Sequence, residues 1–173
     1  MTLLAGRLVS LRPASEADIP RLVEIRSTPE VYAHWRGGDD LEKAVREDFA
    51  EDDIRPYVIL LDGQVVGWIQ WQAEEEPDYR HASIDIYVDP AVHGHGVGTD
   101  AVRTLARHIV KDHGHHRITI DPAAHNKAAI RAYEKAGFKP VGITRQSERG
   151  PDGSWHDGLL MDLLASEVPA DDG

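Results

Sequence analysis

The sequence His93-Gly94-His95-Gly96-Val97-Gly98 lies between an apolar segment at residues 84–88 and a helical pattern that follows it. Glycine lacks a Cβ atom, so a glycine at every second position lets the chain turn tightly and converge its N–H groups on an anion. The positive end of the following helix favours the same guest, a phosphate or pyrophosphate. The spacing G-x-G-x-G is not the dinucleotide pattern G-x-G-x-x-G, and Thr99-Asp100 stands where a Walker loop has Lys-Ser/Thr. Taken alone, the pattern also fits a glycine-rich turn without a ligand.

The segment after this loop has the period of a helix packed on a sheet. Gly114 ends that helix, residues 117–120 form a short strand, and a second helix is predicted over 126–135 with Gly137 at its C′ position. Two last strands, 138–144 and 159–164, flank a turn at 150–153. The apolar stripe of the first helix consists of Val102, Leu105, Ala106, Ile109 and Val110.

The first half of the chain predicts two helices and four strands. The order β-α-α-β-β-β-α-β-α-β-β indicates one mixed α/β domain over residues 1–165, followed by a frayed acidic tail at 166–173. The elements are a strand at 7–12, a helix that begins at a capping box of Ser15 and Asp18, a helix that opens at Asp39-Asp40, and strands at 57–61, 65–72 and 82–88, the first two joined by Asp62-Gly63.

The composition excludes several classes of function. The chain has 30 acidic against 19 basic residues and no cysteine, so neither a nucleic-acid surface nor a thiolate metal site or cysteine nucleophile is expected. The acidic surface suits a cationic ligand, although it also serves solubility alone. No secretory signal and no membrane span are predicted, and the absence of cysteine suits a reducing compartment, so a cytoplasmic location is expected.

A second motif follows at residues 126–138, with the form N-x-x-A-I-x-x-Y-E-K-x-G-F. Together with the glycine loop it resembles the GNAT superfamily of N-acetyltransferases, with His93 at the place where that family usually has Arg or Gln. The resemblance extends over nearly the whole chain. It implies a GNAT fold, with a central mixed, mostly antiparallel sheet of about seven strands and about four helices. It also implies acetyl-CoA as the donor and an amine as the acceptor.

The resemblance assigns the donor site to three parts of the chain. The strand that ends at Val88 splays from its neighbour to pair with the pantetheine arm, and a backbone N–H near Val88 faces the thioester oxygen. The glycine loop holds the pyrophosphate through main-chain amides, and the helix after it presents Asn126 and Tyr133 on one side. The implied coenzyme-binding residues are Ile86, Tyr87, Val88, His93, Gly94, His95, Gly96, Val97, Gly98, Thr99, Asn126, Ala129 and Tyr133.

Two residues are candidates for proton transfer. Tyr133 is the candidate acid for the leaving thiolate, with a packed aromatic residue as the alternative. Asp85 is the candidate base, since an unpaired carboxylate inside an apolar strand is costly, although it could be a hydrogen-bonded structural group. Two groups of histidines have spacings compatible with metal binding, His93 and His95 in the glycine loop and three more within residues 113–116, but no set of carboxylates completes either group, so no metal is expected.

Within GNAT, the segments around Trp35, residues 56–60 and residues 67–70 resemble aminoglycoside 6′-N-acetyltransferases. The resemblance implies an acceptor site lined by Trp35, Asp85 and Asp121, with Tyr79 near its mouth, for a small cationic amine. Acetylation of protein N-termini, small amines or polyamines is the alternative, and a non-catalytic CoA-binding sensor is another. The protein is expected to be a monomer or a homodimer.

Overall fold

A computed structural model describes residues 2–169 of the chain. Within this range, eight strands form one sheet, in the order β1-β2-β3-β4-β5-β6-β8-β7. All neighbouring strands are antiparallel except β5 and β6. The strands are β1 (Leu4–Ala5), β2 (Ser10–Pro13), β3 (Arg55–Leu61), β4 (Gln64–Glu74), β5 (His81–Val88), β6 (Arg117–Ile120), β7 (Lys139–Arg149) and β8 (Trp155–Leu164).

Helices cover both faces of the sheet. The first three pack on one face, where Val58, Trp68 and Tyr87 meet Leu22 and Val45. The other two pack on the opposite face, against side chains from the remaining strand positions. The helices are α1 (Ile19–Arg26), α2 (Pro29–Tyr32), α3 (Leu41–Ala50), α4 (Val97–His113) and α5 (Lys127–Lys135).

The predicted mixed α/β architecture is confirmed. The described residues contain eight strands and five helices, where about seven and about four were expected. The additional strand is the two-residue β1, and the additional helix is the single turn α2, which Pro29 opens. Elements this short carry no periodicity that a sequence pattern can detect.

The strand predicted at residues 7–12 begins later than expected. Only Ser10–Pro13 joins the sheet there, because the backbone N–H groups of Arg7, Leu8 and Val9 donate to the carboxylate of Asp100. An alternating pattern shows which residues suit a strand, but it cannot show that a distant carboxylate binds their backbone.

The C-terminal hairpin is longer than predicted, and it extends the sheet on both sides of the turn at 150–153. Residues 145–149 and 155–158, expected to be loop, continue β7 and β8. Residues 166–169 of the expected tail follow this hairpin closely: Glu167 pairs with Lys139 and accepts from the N–H of Leu164, and Val168 packs against the core. Residues 170–173 lie outside the described range.

None of the helices in residues 2–169 combines the length and apolar character that crossing a membrane requires.

Candidate active site

A large open cavity of about 1460 Å³ lies between β5, β6 and the N-terminal ends of α4 and α5. Its lining includes the residues of the glycine loop at one end, and Trp35, Asp85 and Asp121 at the other. The two sequence motifs, about thirty residues apart, therefore meet in space, and one cavity joins the predicted donor and acceptor regions.

A gap between two parallel strands forms the middle of the cavity. β5 pairs with β4 along its whole length, from Glu74↔His81 to Gly67↔Val88. It pairs with β6 only at Ala82↔Ile118 and Ser83↔Thr119, so the two strands diverge beyond that point. Ile86, Tyr87 and Val88 line the opening. The edge of β5 is thus offered to an extended chain with amide groups, such as the pantetheine arm.

The glycine loop closes the donor end of the cavity. Gly94 and Gly96 both have φ of 81°, a left-handed conformation that a side chain would strain, and Gly96 is the N-cap of α4. The lining here includes His93, Gly94, Gly96, Val97, Gly98 and Thr99, whereas the side chain of His95 is exposed outside it. This arrangement places backbone amides and the positive end of a 17-residue helix where a pyrophosphate would lie.

Helix α5 borders the cavity with the residues that its motif predicted. Asn126, Ala129 and Tyr133 all line it. The side-chain oxygen of Asn126 caps the helix by accepting from the N–H of Ala129 at 3.2 Å. The hydroxyl of Thr99 donates to the carbonyl of Ala132 at 3.0 Å, which joins α4 to α5. The Thr99 hydroxyl therefore helps to fix the two helices that border the cavity.

Three carboxylates converge on the acceptor end. Asp85 shares its face of β5 with Tyr87, Asp121 follows β6 directly, and Glu148 comes from β7. The side chain of Asp85 is exposed to the open cavity, and the cavity walls around it remove part of its hydration. Burial, with the charges of Asp121 and Glu148 as further causes, raises the pKa of Asp85 from 3.8 to about 6. Burial and the charge of Glu148 also raise the pKa of Asp121.

The negative charges of Asp85 and Asp121 also act on Tyr133. Burial first, and then the charges of Asp85 and Asp121, raise the pKa of its hydroxyl above the ordinary value of 10. The group therefore stays protonated at neutral pH and can donate a hydrogen bond to a developing negative charge.

Aromatic and imidazole rings complete the acceptor end. The ring of Trp35 meets the ring of Tyr87 edge to face, with centroids 4.9 Å apart. His34 lines the cavity, and its ring centroid lies 5.6 Å from that of His125. Burial and the neighbouring His125 lower the pKa of His34, while Glu148 opposes them. The lowered pKa favours the neutral form of His34 at neutral pH.

The structure places Tyr79 away from this site, contrary to the expectation. Its side chain is 73% exposed and does not line the cavity. The neighbouring Arg80 donates to the carbonyls of His113 and Gly114, at the C-terminal end of α4, whereas the cavity lies at its N-terminal end. The β4–β5 loop therefore lies near the C-terminal end of α4, away from the cavity entrance.

Glu148 and His34 are functional candidates that the sequence did not reveal. Glu148 fell in a segment expected to be loop, and only the extended hairpin, which pairs it with His156, turns it toward the cavity. Residues 144–149 are all polar, so no alternation of apolar and polar side chains indicated a strand there. His34 follows the one-turn helix α2 and has no local signal.

No group of three or more His, Asp or Glu side chains suited to a metal ion occurs in the part of the chain that the structure describes. The two histidines of the glycine loop do not face the same space, because His93 lines the cavity and His95 lies outside it.

Comparison with known proteins agrees with this geometry. The acetyltransferase (GNAT) domain profile matches residues 8–139. The aminoglycoside N(6′)-acetyltransferase type 1 of Klebsiella pneumoniae is 30% identical over an alignment of 164 residues that covers 84% of this chain and 79% of the relative.

Two solved structures extend the likeness to three dimensions. The structure of AAC(6′)-Ib with paromomycin and acetyl-CoA has a TM-score of 0.78 at 29% identity, over 96% of this chain and 99% of the other. Mycobacterium smegmatis RimJ with CoA-disulfide has a TM-score of 0.81 at 25% identity, over 97% and 87%. By profile, sequence and fold, the chain belongs to the GNAT family of acetyltransferases.

Proposed function

We propose that this protein transfers the acetyl group of acetyl-CoA to an amine of a small polycationic acceptor, the 6′-amine of an aminoglycoside. The observation that carries the proposal is the convergence of Asp85, Asp121 and Glu148 at one end of a cavity whose other end is the glycine loop. A polyanionic donor and a polycationic acceptor would thus enter opposite ends of one cavity and meet beside Tyr133.

The donor would be held by backbone groups. The amides of residues 94–99 and the N-terminus of α4 would bind the pyrophosphate, and the free edge of β5 would pair with the pantetheine arm. A backbone N–H near Val88 would face the thioester oxygen, where negative charge develops as the amine attacks. Asn126 would add a side-chain amide beside the arm.

Asp85 would take the proton that the amine loses. As the nitrogen attacks the carbonyl carbon, a C–N bond forms and the nitrogen becomes acidic, so a base with a pKa of about 6 is ionised and able to accept at neutral pH. Transfer is direct or through one water. The opposite charge of a protonated acceptor amine would also favour the ionised form of Asp85.

Tyr133 would assist departure of the sulfur. When the C–S bond breaks, the electron pair leaves with sulfur, and the Tyr133 hydroxyl donates a hydrogen bond to it. An ordinary thiol has a pKa of about 8.5, below that of Tyr133, so complete transfer from this hydroxyl is uphill. The main contribution of Tyr133 is therefore a hydrogen bond that stabilises the departing thiolate, which then takes its proton from solvent.

The acceptor would be held by charge and by ring faces. An aminoglycoside carries several ammonium groups, of which only the attacking one must be neutral. Asp121 and Glu148 would pair with the others, and the face of Trp35 would cover part of a sugar ring. Two relatives support this class: the K. pneumoniae protein carries the aminoglycoside N(6′) name, and the AAC(6′)-Ib structure contains an aminoglycoside beside acetyl-CoA. Acetylation would remove one positive charge from the antibiotic, so expression would confer resistance.

An acceptor screen tests the proposal. Thiol release from acetyl-CoA is measured with two aminoglycosides that differ only in an amine or a hydroxyl at the 6′ position, and with spermidine and N-terminal peptides. Acetylation of the 6′-amino sugar, with little turnover of its 6′-hydroxyl counterpart, supports the proposal. If only peptides or spermidine are acetylated, the proposed acceptor is wrong. If the protein binds CoA but acetylates none of these amines, it is a CoA-binding sensor and not an enzyme.

A further inference from the structure

The segment before β2 is fixed by a single carboxylate from α4. The backbone N–H groups of Arg7, Leu8 and Val9 donate to the two oxygens of Asp100 at 3.2, 2.8 and 2.9 Å. Asp100 lies in the first turn of α4 and is only 5% exposed. Residues more than ninety positions away in the sequence are thereby bound to the helix that follows the glycine loop.

Close packing supports this contact. A Cβ atom on Gly6 would lie 2.4 Å from Asp100 Oδ2 and 2.5 Å from Thr104 Oγ1, so only glycine fits there. The N–H of Gly6 donates to the carbonyl of Val9 at 2.8 Å and closes a turn around the carboxylate. Thr104 Oγ1 donates to the carbonyl of Asp100 at 2.7 Å and holds this turn of the helix.

The fixed segment is also part of the cavity wall. Arg7 and Leu8 line the cavity at the end formed by the glycine loop and Arg103. The side chain of Leu8 is 46% exposed, although Val9 beside it is buried. An exposed leucine next to a phosphate-binding loop offers an apolar surface to the part of a ligand that lies beyond its pyrophosphate.

We propose that Asp100 is a positioning residue for the acetyl donor: by binding the backbone of residues 7–9, it holds Arg7 and Leu8 as a wall of the coenzyme site. This inference rests on the donor half of the proposed function, the binding of CoA. It does not depend on the identity of the acceptor.

Charge and positioning predict opposite changes in CoA affinity when Asp100 is replaced by asparagine. Asp100 carries a formal negative charge one residue after the loop that would hold a pyrophosphate. By Coulomb attraction and repulsion alone, its replacement by asparagine should tighten the binding of an anionic ligand. A positioning role predicts weaker binding instead. An Asn side chain presents an NH₂ group to backbone N–H donors that need an acceptor, so residues 7–9 would no longer be held against the helix.

The test measures the dissociation constant of CoA by calorimetry for Asp100→Asn and for Gly6→Ala. We expect each to weaken CoA binding about tenfold, the effect of losing one or two hydrogen bonds. The KM for acetyl-CoA should rise in parallel, with the acceptor KM unchanged. Asp18→Asn is the matched control: Asp18 is 6% exposed and accepts from Ser15 N and from Arg12, outside the cavity. It should lower stability without weakening CoA binding.

Hydrogen exchange of the unmodified protein provides a test that needs no variant. The amides of residues 7–9 should exchange slowly, and CoA should slow them further. Unchanged or tighter CoA binding by a folded Asp100→Asn protein, or exchange at these amides that CoA does not affect, overturns the proposal. Failure of the unmodified protein to bind CoA would instead remove the proposed function itself.

Discussion

The imidazole Nε2 of His93 lies 2.9 Å from the carbonyl oxygen of Val88, and this hydrogen bond ties the start of the glycine loop to the end of β5. A carbonyl oxygen only accepts, so Nε2 carries the proton. Arg and Gln, which are usual in the family at this position, are also donors. His93 therefore retains a donor where the family has one, and it links the two parts of the chain that would hold the thioester and the pyrophosphate.

The first prediction follows from this bond. His93→Ala should raise the KM for acetyl-CoA about fivefold, the worth of one hydrogen bond of about 1 kcal/mol, while His93→Gln, which keeps a donor, should recover most of the loss. Steady-state kinetics with acetyl-CoA as the varied substrate measures both. His116→Ala, at the exposed opposite end of α4, is the control. Equal KM values for the alanine and glutamine variants would show that the donor is unimportant.

The second prediction concerns Gly98, in the first turn of α4. A Cβ atom there would meet no atom within 4 Å and its φ is not positive, so the fold tolerates alanine. Gly98→Ala should leave stability unchanged or raise it by up to about 1 kcal/mol and still bind CoA, whereas Gly98→Val should weaken CoA binding, because its larger side chain would occupy the cavity. Thermal unfolding and calorimetry separate the effects on stability and on binding. Gly142→Val, also in open space but outside the cavity, should not alter CoA binding.

The parts of the fold that the sequence predicted well have local causes. The apolar stripe of α4 is buried at Val102, Leu105, Ala106 and Ile109, because i, i+3, i+4 and i+7 share a face whatever the helix packs against. Asp62 and Gly63 both adopt positive φ in the β3–β4 turn, as their dipeptide indicates. Gly114 ends α4 in the left-handed conformation for the same kind of reason.

The parts that the sequence could not predict depend on contacts between distant residues. Asp100 was one more acidic position in a helix until the chain fold brought residues 7–9 to it. Glu148 gained its place in the cavity only through the length of the last hairpin. The direction of the β4–β5 loop, which removes Tyr79 from the site, is set by sheet topology, and no local pattern encodes it.

The third prediction tests Tyr133. Tyr133→Phe removes only a hydroxyl, so the packing and CoA affinity should persist, while kcat falls roughly 10²-fold if stabilisation of the thiolate limits the rate. Stopped-flow and steady-state assays of thiol release measure the change. With an activated thioester, whose leaving thiol has a lower pKa, the variant should lose less kcat, because that thiolate is more stable and depends less on the hydrogen bond. A uniform loss across such donors would point to a packing role instead.

The fourth prediction concerns Asp85 and pH. Since Asp85 must be ionised to accept a proton, kcat/KM should rise with pH through about 6, and Asp85→Asn should lose both this limb and most of kcat. The folded state binds this proton more tightly than the unfolded state, so Asp85 lowers stability as pH rises from about 4 to about 6. Asp85→Asn should therefore be more stable than the unmodified protein at pH 8 and nearly equal to it at pH 4. Thermal unfolding at the two pH values checks this, and equal stabilities at pH 8 would contradict the raised pKa.

The fifth prediction separates the two roles assigned to the carboxylates. The charge of Glu148 is one cause of the raised pKa values of Asp85 and Asp121. Glu148→Gln should therefore shift the acidic limb of the kcat/KM profile to lower pH. With an acceptor that has one amine, the variant should then be more active than the unmodified protein below pH 6. With a polyamine acceptor the same change should raise KM, because an ion pair is lost, and added salt should raise the KM of the unmodified protein more than that of the variant.

The comparison needs both acceptors in one buffer series, with Glu134→Gln on the exposed side of α5 as the control. If Glu148 only positions substrate, KM changes and the acidic limb stays in place. If it only modulates Asp85, the limb moves and the two acceptors respond alike. The cavity predicts both effects together, because Glu148 lies close enough to Asp85 to alter its proton affinity and faces the same space that the acceptor must fill.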